Sequence, residues 1–93
     1  MSTTADWELD PDRLRESLAA WHTSNPTPQN KRFVDEFLMD LIKLGPIECG
    51  EEDDDTGIFS GIAGNVIGST IVVVYVPDFE HRRIAVTGIA LAG

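Results

Sequence analysis

Residues 71–76, Ile-Val-Val-Val-Tyr-Val, constrain this chain more than any other stretch. All six are β-branched or aromatic, the side chains that favour a strand. Successive side chains of a strand point to opposite faces. This strand is therefore apolar on both. Helices of the same chain can cover one face. The other needs more of this chain or another molecule. The two alternatives are the set Ile71, Val73, Tyr75 and the set Val72, Val74, Val76. Either set, with neighbours from residues 58–62 and 84–86, makes an apolar patch on the order of several hundred Å², the size that marks an interface.

The segments before this strand supply one cover. Trp7 and Leu9 alternate with Asp6, Glu8 and Asp10, the period of a short half-buried strand. Asp10-Pro11 is a helix start, with Asp as N-cap and proline in the first turn. Leu14, Leu18 and Trp21 then form one stripe of a helix running to about His22. Thr27-Pro28 repeats the cap signature and opens a second helix. Its apolar face is Val34, Phe37, Leu38, Leu41 and Ile42, and Gly45-Pro46 ends it. A short loop joins the two, which predicts a helix hairpin. Residues 47–50 read as a connector.

After the connector, glycines at 57, 61, 64 and 68 punctuate an apolar stretch. Residues 57–63 read as a strand, Gly64-Asn65 as a turn and 69–76 as the central strand. Pro77, which has no amide to donate, is expected to end the ladder. Residues 78–81 form the next turn. Residues 82–91 form the last strand, with Ile84, Val86 and Gly88 on one face. The expectation is an α+β fold in one domain: a two-helix hairpin on one face of a small antiparallel sheet, in the order β-α-α-β-β-β, with residues 1–4 as a loose tail.

Charge narrows the partners. Seven Lys and Arg face sixteen Asp and Glu, a formal net charge of −9. Attraction to phosphate backbones needs basic patches. Direct binding to nucleic acid and to anionic membranes is therefore disfavoured, and a basic protein surface is favoured. Glu51, Glu52, Asp53, Asp54 and Asp55 concentrate this charge and read as a solvated loop, with a docking site for a basic partner as the alternative. They do not make a calcium loop. Counting from Glu52 puts Gly57 at the sixth position but Ala63 at the twelfth, where a glutamate is needed. The glycine spacing matches no phosphate loop. His22 and His81 are far apart in sequence and lack neighbours at ligand spacing, so no metal or cofactor is expected. Cys49 is the single cysteine. It excludes an internal disulfide and reads as an inert thiol. With a polar N-terminus and no apolar run of membrane length, the chain reads as cytoplasmic.

Residues 70–89, TIVVVYVPDFEHRRIAVTGI, resemble the closing hairpin of the RelE/ParE toxin superfamily. The shared pattern is a hydrophobic strand with a Tyr near its end, an acidic turn, a basic pair and an apolar strand. Trp7-Glu8-Leu9 resembles that family's first strand, and residues 33–44 followed by Pro46 resemble its second helix. The resemblance implies a small bacterial toxin held by an antitoxin, acting as a ribosome-dependent endoribonuclease or as a gyrase poison. The nuclease branch uses basic and aromatic side chains on the sheet and near the C-terminus. Here the carry-over is confined to Tyr75, His81, Arg82 and Arg83. Few cations remain to steady charge at a scissile phosphate. The expectation is therefore a toxin-like protein that binds protein instead of cleaving RNA. The alternative is an acidic immunity-type module masking a basic target. In either case the uncovered strand face, Val72, Val74 and Val76 if the helices take the other set, is buried by a partner chain or in a homodimer.

Overall fold

Side-chain caps set where the helices begin. The Asp10 carboxylate accepts the N–H groups of Asp12 and Arg13 at 3.0 and 3.2 Å, with Pro11 in the first turn of α1 (Pro11–Thr23). The Thr27 hydroxyl accepts the Asn30 N–H at 3.1 Å at the start of α2 (Pro28–Leu44). Each cap contributes about 1 kcal/mol. The computed structural model describes residues 6–66 and 68–92. The expected tail, residues 1–4, lies outside them. A short strand β1 (Glu8–Leu9) precedes the helices. After them come a one-turn helix α3 (Pro46–Cys49), a two-residue strand β2 (Glu51–Glu52), and the long strands β3 (Phe59–Val66), β4 (Ser69–Asp78) and β5 (Arg83–Ala92). Among the described residues, no helix is long and apolar enough to cross a membrane.

The sheet order is β1-β5-β4-β3-β2. All pairings are antiparallel except β1 with β5, so the sheet is mixed, with β4 at its centre. Helix α1 lies along β5, and α2 lies over β3 and β4. The helices cover the Ile71, Val73 and Tyr75 face of β4. These residues, with Ile84 and Val86 of β5, are wholly inaccessible, and Trp21, Val34, Phe37, Leu38, Leu41 and Phe59 complete the core. Val72, Val74 and Val76 face away from it.

Five local expectations are corrected by the structure. β4 runs through Pro77, which pairs with Ile84. Val86 turns its carbonyl away from β4 to accept the Ser17 hydroxyl. Its partner Tyr75, and by alternation Pro77, therefore turn their amide positions toward β3. The β3 ladder starts only at the Phe59–Tyr75 pair, so the missing donor faces no strand. Gly64-Asn65 is not a turn but ladder, paired with Ile71 and Thr70 past a bulge at Ala63. Gly88 sits opposite Val74, not beside Ile84 and Val86, because a second irregularity falls between Val74 and Tyr75. The stretch read as a connector contains α3. Glu51 and Glu52, at the head of the acidic run, are strand, paired with Ser60 and Phe59.

Gly61 and Gly64 of β3 explain how α2 comes so close. A Cβ at Gly61 would lie 2.6 Å from Phe37 Cζ and collide with the Cys49 carbonyl. One at Gly64 would lie 2.7 Å from the Phe33 ring. Both rings therefore rest directly on strand backbone. Replacing Gly61 with Val is expected to destabilise the fold by about 1–3 kcal/mol through overpacking. Ile62→Thr, on the opposite face where Ile62 is 63% exposed, is expected to change stability by less than about 0.5 kcal/mol. Urea denaturation of both variants checks this, and equal effects would contradict the packing described.

Candidate functional site

The open face of the sheet is the first candidate. The register places Ile62 opposite Val72 and Ser60 opposite Val74. On the other side of β4, Ala90, Gly88 and Ala85 oppose Val72, Val74 and Val76. Large aliphatic side chains of β3 and β4 thus lie beside a shelf of small residues from β5. Ile62, Ile58 and Val76 are 63%, 43% and 38% exposed. Among the described residues, no helix covers this face. Ile58 and Ile62 join it as expected, but Ile84 and Val86 do not. The bulge in β5 turns those two into the core and brings Gly88 and Ala90 out in their place, and no residue type announces that shift.

An acidic margin borders the face. Glu51 and Glu52 form the edge strand, and the chain then turns through Asp53, Asp54, Asp55 and Thr56. The Thr56 N–H reaches the Asp53 carbonyl at 3.0 Å, and the Gly57 N–H reaches a Glu52 carboxylate oxygen at 2.9 Å. Asp54 and Asp55 adopt φ of 45° and 57°, a conformation that Asp tolerates better than most residues. All five acids are exposed. A shallow hollow of about 480 Å³ joins the first three of them to the open face, lined by Glu51, Glu52, Asp53, Ile58, Phe59, Ser60, Val72 and Val74. The acidic run and the apolar strand, about twenty residues apart in sequence, become one surface.

The four residues carried over from the nuclease resemblance do not converge. The Tyr75 ring is inaccessible and stacks on Phe59 at 5.7 Å between centroids. Its hydroxyl donates to the Pro46 carbonyl at 2.7 Å, beneath α3. Burial, and secondarily the neighbouring Cys49, push its pKa up to about 12. Arg82 occupies the hairpin turn with φ 53°. Its guanidinium carbon lies 4.8 Å from the centroid of the Trp7 ring, and its carbonyl accepts the Glu8 N–H at 3.0 Å. Arg82 thus ties β1 to the hairpin. Trp7 also meets Phe79 edge-on at 5.6 Å. Arg83 is exposed at the start of β5, in register with Asp78 and Glu8.

His81 does have carboxylate neighbours, contrary to the sequence reading, because the turn folds it back onto residue 78. Its Nδ1 lies 2.8 Å from Asp78 Oδ2. The other Asp78 oxygen accepts the N–H groups of Glu80 and His81. The His81 ring hydrogen bond, then that backbone bond, hold the Asp78 carboxyl below its ordinary value. A lowered carboxyl pKa favours the folded turn above the ordinary carboxylate range and loses that contribution as pH falls through the folded value. Ligand atoms of Asp78, Glu80 and His81 lie within 4.8 Å of one another. The hydrogen bonds account for this clustering, since a side-chain cap gathers such groups in many turns. Cys49 is half-buried, and burial followed by Asp40 and Glu48 raises its thiol pKa, the opposite of an activated nucleophile.

Tyr75 is the only tyrosine, so its titration can be read directly. Burial favours the neutral phenol. The folded chain keeps a proton that the unfolded chain releases near pH ~10. Stability is therefore full below that value and falls as pH rises from there through about 12. The ultraviolet signal of the phenolate is expected to appear near the upper value. Tyr75→Phe is expected to remove this alkaline loss and to cost about 1–3 kcal/mol at neutral pH, by leaving the Pro46 carbonyl unpaired. Ordinary tyrosine titration in the folded protein would refute the buried hydrogen bond.

Comparison with family models, with curated proteins and with solved structures finds no match to this chain.

Proposed function

We propose that this chain is a protein-binding module that holds a basic, partly apolar polypeptide against the open face of its sheet. We place it with toxin-like proteins of the RelE/ParE kind that act through protein contact. One observation carries the reading: Glu51, Glu52 and Asp53, at the head of the acidic run, share a hollow with Val72 and Val74 of the uncovered face. Apolar burial at about 25 cal/mol per Å² supplies affinity beyond the costs of association. The acidic margin steers a cationic partner and sets its orientation. The toxin-like class is supported by the element order and by the closing hairpin with its acidic turn and basic pair. RNA cleavage fits poorly with a net charge of −9, with Tyr75 committed to the Pro46 carbonyl and with Arg82 seated on Trp7. An acidic immunity-type module would use the same surface. Growth arrest on expression in a bacterial host, relieved by Val72→Thr with Val74→Thr, favours the toxin-like class, and harmless expression favours the immunity type.

The binding surface is tested with a synthetic peptide of alternating leucine and lysine, titrated against the protein by calorimetry. The wild type is expected to bind. The Val72→Thr, Val74→Thr variant should bind about tenfold more weakly, a loss of ~1.4 kcal/mol. Glu51→Gln, Glu52→Gln and Asp53→Asn together should weaken binding at low salt and flatten its salt dependence. Binding unchanged in both variants would overturn the proposal.

A further inference from the structure

We propose that β5 also pairs, edge to edge and antiparallel, with β5 of a second copy of this chain, about a two-fold axis normal to the sheet near Ile89. This surface is distinct from the open face and does not depend on the function proposed for it.

The edge is left free by the path of the chain. β1 accompanies β5 only at Arg83 and Ile84. Asp10 then donates its N–H to the Ile84 carbonyl at 2.8 Å and caps α1, so the chain leaves the sheet. The Val86 carbonyl is taken by the Ser17 hydroxyl. From Thr87 to Ala92, no strand among the described residues lies on that side of β5. In an antiparallel ladder, alternate residues direct both N–H and C=O away from the existing partner. Folded proteins blunt such an edge with charge, proline or a covering element. The segment Thr87-Gly88-Ile89-Ala90-Leu91-Ala92 carries neither charge nor proline, and its bulge, another such device, is confined to Thr87 at the start of the free stretch. Thr87, Ala90, Leu91 and Ala92 are exposed, Leu91 at 49%. Beside the edge runs a groove of about 200 Å³ against α1, lined by Arg13, Glu16, Ser17 and Ala20 together with Val86 and Ile89.

Charge distribution selects a second copy as the occupant. The chain repels itself in general, since its net charge is −9. The concentrated acids, however, lie at β2, the opposite margin of the sheet. Joining two copies at β5 sends the two acidic turns to the far ends of one continuous sheet. The strand that meets its own copy is neutral, and the groove wall carries one cation, Arg13, and one anion, Glu16. A strongly basic partner gains little here and is drawn to β2. Geometry agrees. A two-fold axis through a residue of an antiparallel pair keeps the same face of both copies on the same side. Both α1 helices then lie on one side of the joint sheet, where exposed Ala19 and Ala20 allow close approach. With the axis at Ile89, Thr87 of one copy lies beside Leu91 of the other.

Sedimentation equilibrium of the full chain tests this. The wild type is expected at twice the 10.2 kDa chain mass. Thr87→Lys with Leu91→Lys sets like charges against each other twice and should give the monomer, with an unchanged circular dichroism spectrum and undiminished binding of the leucine–lysine peptide. Thr87→Lys with Leu91→Glu sets opposite charges together and should restore the dimer. A monomeric wild type, a dimer that survives the double lysine variant, or a Lys/Glu variant that stays monomeric would each overturn the proposal. Loss of the dimer in the Val72→Thr, Val74→Thr variant would also overturn it, since that result places self-association on the open face.

Discussion

A strand that is apolar on both faces cannot be satisfied from one side. β4 sits at the centre of the sheet, and alternation sends Ile71, Val73 and Tyr75 one way and Val72, Val74 and Val76 the other. Two helices are enough for one layer. Once Trp21, Phe37, Leu38 and Leu41 close over the first set, nothing of comparable size remains among the described residues to close over the second. The two-layer arrangement thus creates both the core and the open face, through the same pleat.

Close packing on the covered side depends on what is absent from β3. The side-chain-free positions 61 and 64 let Phe37 and Phe33 rest on backbone. That approach brings α3 over the end of the sheet, where the Pro46 carbonyl meets the Tyr75 hydroxyl. A buried hydroxyl is costly without a partner and a buried carbonyl equally so. Each satisfies the other, and the aromatic stack of Tyr75 with Phe59 fills the space around them. The residue that most resembled part of a catalytic set is thereby a structural bolt between α3 and the sheet.

The closing hairpin shows the same economy in its polar groups. Asp78 accepts from two backbone N–H groups and from the His81 ring. Arg82 lies over Trp7 while its carbonyl holds β1. A turn rich in ionisable residues, which in sequence suggests chemistry, uses most of them to fold itself. The acidic run 51–55 differs. Two of its members pair weakly at the sheet edge and the remainder turn in solvent, so their charge stays available along the margin of the open face.

The sequence by itself determined the α+β class, the caps that begin both long helices, the apolar stripe of α2, the central place of residues 71–76 and the need to cover two faces. These are local properties, written in side-chain type, period and cap chemistry. Tertiary structure alone decided which set of β4 residues is covered, because the two sets are chemically alike and only the docking of α2 on glycine backbone tells them apart. It decided the sheet order and the parallel β1–β5 contact, since strand neighbours depend on where the chain returns. It decided that Pro77 stays in the ladder and that Gly88 faces outward, because a bulge shifts register without marking any residue type. The surface that joins Glu51 and Asp53 to Val72 and Val74 was illegible for the same reason: the pairing of β2 with β3, and of β3 with β4, carries residues about twenty positions apart onto a single face.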